Sequence, residues 1–555
     1  MPPFERTAQQ LLRARAEEHP DEPAFVFVTD GEQQVTTYGE LRAAADRVAA
    51  ALYAHGVGPG DHVAILMANR PEFVALTYGT LQAGAVVNPY NAMWGAEELG
   101  EVLRRADPAV LVTTARDGGS DHLGLLSEAL PDLEGTADGG VDSAAVPTLE
   151  HVVALDLGGR LRDPCREYGA FLDAGEEMAA GAWSPGDHAP GPGDVQYLLQ
   201  TSGTTGTSKS AMLTHESLVP NAYFVGRAMG IEPEDRFINF SPFYHNGGLV
   251  TGILMNTAVW GSTLYFQPRF DPGTALEVID EHGIESMFGF GTMYAALRDA
   301  PTFEETEFTI EKALVAATPS QYDAAVAMSD APPDERTFAN LYAQTEGGPL
   351  VSVVDADDPD ADLRKYSNGQ PLPGIEVVAK DPETGDRLPP GEAGELCYRG
   401  WSVFEGYYQQ PERTAAGWDE EGYWHSGDYG RVDGGYVYFD GRLDDVVKTG
   451  GENVSTRAVE TFLGDAFDDI ADVAVVGVPD DYWGQRIVAF IEYAPGAEPR
   501  SAEEWRAACK DRIADYRIPR NFFEIDEWPT TETGKIVQES LEAEARSRID
   551  GSADG

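Results

Sequence analysis

Residues 197–215, reading YLLQTSGTTGTSKSAMLTH, hold the side chains best suited to chemistry. An apolar segment leads into eight residues of only Thr, Ser and Gly, and the first charged side chain after them is Lys209. Gly203 and Gly206 free the backbone so that successive N–H groups can point at an anion. The hydroxyls and the lysine add donors and a point charge. The pattern therefore predicts a loop that holds phosphate groups.

The same composition is also typical of a solvated linker. The strand-like segment directly before the loop and the lone lysine favour phosphate binding instead. A Walker loop is excluded, because Gly203 and Gly206 lie three residues apart and Lys209 does not follow a glycine. The lysine carries extra weight because the chain has only seven lysines in 555 residues.

The charge balance limits the partners of this chain. Its 39 Lys and Arg residues stand against 94 Asp and Glu residues, which gives a net charge of −55. Nucleic acids and anionic membrane surfaces require positive patches, so the composition excludes both as partners. The acidic residues are spread along the whole chain, which is typical of a surface that works in concentrated salt. There the Debye length falls to about 3 Å at 1 M, and self-repulsion is screened.

Cysteine use and targeting signals indicate the compartment. Cys165, Cys397 and Cys509 lie far apart, which predicts neither a disulfide framework nor a metal site and indicates a reducing, cytoplasmic environment. The first 20 residues have no apolar core of the signal-peptide type. Residues 243–268 contain no Asp, Glu, Lys or Arg, but their glycines, threonines and asparagines predict a buried helix and a strand rather than a membrane span.

Short apolar segments that alternate with helical patterns predict the fold. Residues 63–89 are typical of a strand, a helix that begins near Pro71, and a second strand. This repetition indicates stacked α/β units with parallel sheets. Residues 117–194 are the least regular and predict a long insertion or a mobile connection. Further strands are predicted at residues 109–114, 286–290, 313–318 and 338–343.

The character of the sequence changes after Gly385. Short, aromatic, glycine-punctuated segments there are typical of antiparallel strands and turns. A compact α+β unit follows Asp444, with a helix near residues 502–515 and a last strand at 521–525. The predicted fold class is α/β, with a large N-terminal domain of stacked α/β subdomains plus a β-rich subdomain, and a small mobile C-terminal domain. The expected bounds are 1–443 and 444–545, followed by a disordered tail at 546–555.

Five separated motifs carry a resemblance to a known family. They occur in the family's order and at plausible spacing, so the chain resembles the adenylate-forming superfamily of acyl-CoA synthetases, nonribosomal peptide adenylation domains and luciferase-like enzymes. The composition resembles that of proteins from halophilic archaea. The motifs are TSGTTGTSK at 201–209, LYAQTE at 341–346, YWHSGD at 423–428, GRLDDVVKTGGEN at 441–453 and PTTETGKI at 529–536.

The resemblance implies a two-step reaction with ATP, Mg²⁺ and coenzyme A (CoA). A carboxylate attacks the α-phosphorus of ATP and releases pyrophosphate, and a thiolate then attacks the acyl-adenylate and releases AMP. Because the first step brings together two anions, cations and donors must offset their charge. Glu346 would bind Mg²⁺, and Lys535, His245 and Lys448 would be catalytic. The implied nucleotide-binding residues are Thr201, Ser202, Gly203, Thr204, Thr205, Gly206, Lys209, Ala317, Thr318, Tyr342, Gln344, Thr345, Asp428 and Arg442.

The resemblance also implies sites for the acid and for CoA. Ala343 replaces a family glycine at a position that short-chain synthetases fill with Trp, which argues against a strictly acetate-sized pocket. The departures at residues 208–210 and 316–319 remove no charged group, so they bear on the substrate rather than on activity. The acyl pocket is assigned to His245, Asn246, Gly289 and Ala343, the CoA contacts to Gly450, Gly451 and Trp483, and the hinge to Asp444.

The sequence thus predicts an ATP-dependent carboxylic acid–CoA ligase that acts on a medium- or long-chain fatty acid. Three alternatives stay open: an aryl acid as substrate, transfer of the acyl group to a carrier protein, and a non-catalytic nucleotide-binding regulator. No carrier-type domain is expected in the roughly 20 residues after Lys535, which favours free CoA. The presence of Lys535, Glu346 and Asp428 argues against the regulator.

Overall fold

Strands that are buried along their whole length form the centre of the molecule. In the computed structural model, successive residues of His62–Leu66 pack against different helices. Val63 and Ile65 belong to one apolar cluster with helix Pro71–Gln82, whereas Ala64 and Leu66 belong to another with helix Ala96–Ala106. This burial on two faces explains the continuous apolar runs in the sequence. The structure describes residues 4–29, 32–117, 119–137, 139–157, 164–178, 183–184, 188–201, 209–317, 319–332, 336–355, 358–443, 446–449, 452–480, 483–510, 512–525, 527–529 and 536–553.

Among these residues, two large sheets dominate. Their central strands run parallel, and antiparallel strands lie at one end of each sheet. In spatial order, the first sheet contains Gly406–Tyr407, Lys209–Thr214, Val195–Thr201, Val86–Tyr90, His62–Leu66, Val110–Thr114, His151–Leu155 and Arg166–Glu167. The second contains Thr337–Ala339, Lys312–Ala316, Ser286–Phe290, Arg236–Asn239, Thr263–Phe266, Pro23–Thr29 and Glu32–Thr37.

Helices connect and cover these strands. The π-helix Gly247–Trp260 is buried and precedes strand Thr263–Phe266, as the sequence predicts, and no helix of the described residues is long and apolar enough to cross a membrane. The α-helices are Ala8–Glu18, Tyr38–Ala54, Pro71–Gln82, Ala96–Ala106, His122–Ala129, Tyr168–Glu176, His215–Met229, Pro272–His282, Gly291–Arg298, Pro319–Met328, Ala361–Tyr366, Pro411–Ala416, Thr456–Ala466, Ala502–Cys509 and Gln538–Ala553. Single 3₁₀ turns occur at Phe303–Glu305, Thr345–Gly347 and Asp515–Arg517.

The sheets beyond residue 340 are mostly antiparallel, so the predicted change of architecture is confirmed but begins at Leu341 rather than after Gly385. Strands Asn521–Glu524 and Gly484–Tyr493 form a parallel pair in the last sheet. One sheet contains Ile375–Lys380, Ala393–Gly400, Trp424–Asp433 and Tyr436–Arg442, and a small one contains Leu341–Ala343, Leu350–Val353 and Gln370–Pro371. The last sheet contains Glu452–Ser455, Val446–Thr449, Gly484–Tyr493, Ile470–Asp480 and Asn521–Glu524, and a two-stranded ribbon pairs Glu134–Gly135 with Val141–Asp142.

The sequence-based description needs three corrections. The predicted strand at residues 338–343 is two strands, because the Asn340 side chain accepts from the backbone N–H of Leu341 and the chain passes from one sheet to another. The supposedly irregular region 117–194 contains strand His151–Leu155, whose apolar run is paired within the first sheet. The expected disordered tail at 546–555 is helical as far as Ala553, and its Ile549 packs against the apolar cluster that contains Leu541 and Ala545.

Candidate active site

A cavity of about 810 Å³ opens where several elements end. Phe290, Ala316 and Asn340 reach it from the carboxyl ends of three parallel strands of the second large sheet. Binding sites in open α/β sheets occur at this edge. Strands Trp424–Asp433 and Tyr436–Arg442 supply further lining residues from the antiparallel sheet.

Three side chains hold the Asp428 carboxylate in the cavity lining. The Tyr342 hydroxyl donates to its Oδ2 atom at 2.6 Å, and the Arg442 guanidinium donates to its Oδ1 atom at 2.5 Å. The Gln344 amide donates to Oδ2 at 3.4 Å. Burial raises the pKa of Asp428, and the Arg442 charge and the Tyr342 hydrogen bond oppose that shift. The carboxylate therefore has a fixed orientation toward the cavity.

Aromatic side chains lie beside this carboxylate. The Tyr342 and Phe439 rings stack with centroids 5.6 Å apart and planes 23° apart. Arg457, from the start of helix Thr456–Ala466, lies 5.5 Å from the Phe439 centroid and also lines the cavity. We call Tyr342, Gln344, Asp428, Phe439 and Arg442 the Asp428 wall.

A second acidic group, Glu346, lies on the 3₁₀ turn Thr345–Gly347. The Tyr407 hydroxyl donates to its Oε1 atom at 2.6 Å, and the Lys209 ammonium lies 5.1 Å from the Tyr407 ring centroid. Burial lowers the pKa of Lys209, the Arg413 charge lowers it further, and Glu346 opposes both effects. The Glu346 carboxylate and the two cations, Lys209 and Arg413, therefore lie together at the cavity lining.

The remaining lining has fewer polar contacts. The Asn246 amide donates to Thr345 Oγ1 at 2.9 Å, while its Oδ1 atom is buried and has no hydrogen-bond partner in the described part of the chain. His245 is exposed to the cavity, but protein surrounds the rest of its side chain. Desolvation by the surrounding protein lowers the pKa of His245. We call His245, Asn246, Phe288, Phe290 and Ala343 the His245 wall.

Gly289 does not have the predicted position. Successive residues of strand Ser286–Phe290 point to opposite faces, so Phe288 and Phe290 line the cavity on either side of it. A Cβ atom at Gly289 would lie 2.9 Å from the Met287 Cε atom and 3.0 Å from the Tyr294 ring. The glycine therefore provides room for neighbouring side chains on the opposite face.

Some of the other predicted residues line the cavity, and the rest lie away from it or outside the described part of the chain. The cavity brings together Thr201, Lys209, His245, Asn246, Ala317, Tyr342, Ala343, Gln344, Thr345, Glu346, Asp428 and Arg442. Trp483 is not among the lining residues and lies under the Arg520 guanidinium, 4.5 Å from it. Lys448 belongs to strand Val446–Thr449, and its side chain lies outside the description. Ser202, Gly203, Thr204, Thr205, Gly206, Thr318, Asp444, Gly450, Gly451 and Lys535 lie outside the described residues.

Sequence reasoning missed many lining residues, among them the aromatic and charged side chains of Phe439, Tyr407, Arg413 and Arg457. Phe439 precedes the GR motif by only two positions, so its aromatic strand was an available signal. Tyr407, Arg413 and Arg457 belong to elements that carry no motif residue in the cavity, and only the fold brings them there.

Comparisons with known proteins identify the family to which the chain belongs. A family model described as AMP-binding enzyme matches residues 12–408, and one described as AMP-binding enzyme C-terminal domain matches residues 459–535. The chain is 32% identical over 517 residues to a feruloyl-CoA synthase of Amycolatopsis, covering 92% of this chain and 94% of the relative. It is 29% identical over 570 residues to a mitochondrial medium-chain acyl-CoA ligase, ACSF2, of Danio rerio, covering 98% and 89%. The crystal structure of ATP-bound MatB from Rhodopseudomonas palustris superposes with a TM-score of 0.79, at 27% identity and with coverage of 97% and 99%.

Proposed function

Because the chain belongs to the AMP-binding enzyme family, within the adenylate-forming superfamily of acyl-CoA synthetases, we propose that it joins a carboxylic acid to CoA and cleaves ATP to AMP and pyrophosphate. The observation that carries this proposal is the Asp428 carboxylate, fixed by Tyr342 and Arg442 at a cavity that also contains Lys209 and Glu346. A carboxylate held in this way can accept hydrogen bonds from both hydroxyls of a ribose.

The cations of the lining suit the first half-reaction. The acid's carboxylate attacks the α-phosphorus, the bond to pyrophosphate breaks, and the acyl-adenylate forms. Lys209 and Arg413 would offset the charge of the triphosphate, and Arg442 would contact the ribose and a phosphate. Thr345 would donate to the α-phosphate. Fixed donors and cations of this kind stabilise charge that develops in the transition state.

Glu346 fits a role as a Mg²⁺ ligand. Tyr407 occupies one of its oxygens, and the carboxylate lies at the cavity lining close to Lys209 and Thr345. Mg²⁺ is a hard ion that prefers carboxylate and phosphate oxygens and keeps several waters. When bound, it would neutralise phosphate charge; the protein's part is to orient Glu346 through the Tyr407 hydroxyl.

The resemblance supports roles for further residues, most of which lie outside the described part of the chain. We propose Lys535 as the cation that meets the α-phosphate and the acid, Lys448 as a second catalytic lysine, and Asp444 as the hinge between domains at 1–443 and 444–545. Gly450, Gly451 and Trp483 would contact CoA, with Trp483 already stacked on Arg520.

For the acid, we propose a medium- or long-chain fatty acid, with an aryl acid as the second candidate. Ala343 is exposed to the cavity and leaves room beside it, and Phe288 and Phe290 add apolar surface. The same two rings favour the aryl candidate, because aromatic pairs pack well against a third ring. The names of the Danio and Amycolatopsis relatives correspond to the two candidates.

The test is an assay of pyrophosphate release in molar KCl against fatty acids of increasing length and cinnamic acids, with and without CoA. We expect acid-dependent pyrophosphate release, and thioester formation when CoA is present. Adenylate formation without thioester would favour a carrier protein as acceptor. Binding of ATP with no turnover of any acid would contradict the proposal and favour the nucleotide-binding regulator.

A further inference from the structure

A bulge in strand Trp424–Asp433 creates the turn that presents Asp428. On the neighbouring strand Ala393–Gly400, Cys397 pairs with His425 and Glu395 pairs with Tyr429. Three residues of strand Trp424–Asp433 therefore lie opposite the single residue Leu396. These three residues are Ser426, Gly427 and Asp428, two more than regular pairing would place opposite Leu396. Gly427 has a left-handed φ of +70°, which glycine adopts without strain. Bulges of this kind re-aim a side chain beside an active site.

A buried carboxylate supports the bulge from the neighbouring strand. Glu395 Oε1 accepts from the backbone N–H of Gly427 at 2.9 Å, in place of the ladder bond that the bulge removes. Its Oε2 atom lies 2.7 Å from Nδ1 of His425. One carboxylate therefore contacts the residues on both sides of Ser426.

A charged network holds His425 from its other edge. His425 Nε2 lies 3.5 Å from Asp419 Oδ2, and the same oxygen pairs with the Lys380 ammonium at 2.5 Å. Lys380 is buried and also pairs with Glu421 at 2.6 Å. The Glu395 hydrogen bond raises the pKa of His425 against the opposing effect of burial. The protonated His425 imidazole thus has a carboxylate beside each of its two nitrogens.

We propose that Glu395 and His425 are positioning residues for the nucleotide: they set the conformation of Gly427 and, through it, the orientation of Asp428 toward the ribose. This inference rests on the proposed function, because it assumes that Asp428 binds the ribose hydroxyls. Glu395 is not among the cavity-lining residues, and its oxygens act on the Gly427 backbone and on His425, which does line the cavity. Removal of Glu395 should therefore weaken only those substrate contacts that Asp428 makes.

The experiment compares ATP with 2′,3′-dideoxyATP, which lacks both hydroxyls. For Glu395→Ala we expect KM for ATP to rise about tenfold, the size of one lost charge-assisted hydrogen bond, and KM for dideoxyATP to change less than about twofold. Glu395→Gln should restore most of the loss, because its amide oxygen can still accept from Gly427. His425→Ala should give a smaller rise with the same selectivity for ATP. Glu376→Ala, a partly exposed residue on the neighbouring strand Ile375–Lys380, is the matched control and should change neither KM.

Three results would overturn the inference. They are an equal rise for ATP and dideoxyATP in Glu395→Ala, no change in either KM, or equal use of both nucleotides by the wild type. If Glu395→Ala does not fold, His425→Ala tests the inference instead. A rise in KM for ATP that exceeds the rise for dideoxyATP would support the positioning role, and an equal rise would overturn it. If no acid supports turnover by the wild type, the proposed reaction fails, and calorimetric binding of ATP and dideoxyATP to the same variants still tests the positioning role.

Discussion

On the Asp428 wall, one carboxylate has three side-chain partners, whereas on the His245 wall the Asn246 Oδ1 atom has none among the described residues. The first wall is a hydrogen-bonded network that extends from Gln344 to Tyr398. The second presents Phe288 and Phe290 and a desolvated histidine. Hydrogen bonds fix the first wall, and packing shapes the second.

The ligands that we propose for the two walls, a nucleotide and an acyl chain, would account for this difference. A nucleotide presents the same hydroxyls and phosphates in every turnover, so donors and acceptors can be fixed before it binds. Buried polar networks are useful only when every member has a partner, which Asp428 and Tyr342 achieve together. An acyl chain offers mostly shape and apolar area, which a single substitution can alter. We therefore expect mutations in the two walls to affect different kinetic constants.

The largest expected effect concerns Lys535, which we assign by resemblance to the nucleotide side. Lys535→Ala should slow adenylate formation by about 10²-fold or more, because it removes a cation from the transition state. Conversion of supplied acyl-adenylate and CoA to thioester should continue. Separate assays of the two half-reactions provide the measurement.

Asp444→Pro is the companion variant, since proline fixes φ at the proposed hinge. It should keep adenylate formation and lose thioester formation. Equal slowing of both half-reactions in both variants would mean that the C-terminal domain does not alternate between two positions.

The next effect concerns the Asp428 wall itself. Asp428→Asn should raise KM for ATP by about 10- to 100-fold, because hydrogen bonds to a charged acceptor are lost. The order of preference among acids should stay as in the wild type, since the residue does not belong to the His245 wall. Asp433→Asn, at the exposed end of the same strand, is the control. An altered acid preference in Asp428→Asn would show that the two walls are not independent.

Much of the Asp428 wall could be predicted from the sequence because its residues lie in contiguous motifs. Tyr342 and Gln344 alternate on one segment, and Asp428 ends another. The bulge that presents Asp428 could not be predicted, because it depends on pairing with a distant strand that contains Glu395. Local sequence specifies the residue types, and the fold specifies their partners.

The His245 wall and the chain end show where prediction from sequence stops. Gly289 was placed one residue away from the side chains that line the cavity, and a one-residue shift on a strand reverses the face. The sequence of the tail at 546–555 predicts disorder because it is rich in Gly, Ser and Asp, yet its Ile549 packs against the apolar cluster that contains Leu541 and Ala545. Tertiary packing outweighed local propensity there.

A smaller effect should distinguish the His245 wall. Ala343→Trp should shorten the accepted acid, because overfilling the pocket costs roughly 1–3 kcal/mol per misfit. KM for ATP should stay within about twofold, a difference below 0.5 kcal/mol. The measurement is kcat/KM across saturated acids of increasing length. An unchanged length preference would place the acyl chain elsewhere.

The smallest effect is a pair of opposite pH dependences of stability at the two histidines. The Glu395 hydrogen bond raises the pKa of His425 above its ordinary value of 6.5, so its stabilisation is present below pH 6.5 and is lost as the pH rises through the folded-state pKa. Desolvation lowers the pKa of His245, so its contribution is present above pH 6.5 and is lost as the pH falls through the folded-state pKa.

Thermal melts of the wild type, His425→Gln and His245→Gln across this range, at constant KCl, compare the two residues directly. The Tm difference between wild type and His425→Gln should shrink toward alkaline pH, and that between wild type and His245→Gln should shrink toward acid pH. Parallel trends for both variants would contradict the contrast between the two histidines, since they would mean that both imidazoles experience the same balance of burial and charge.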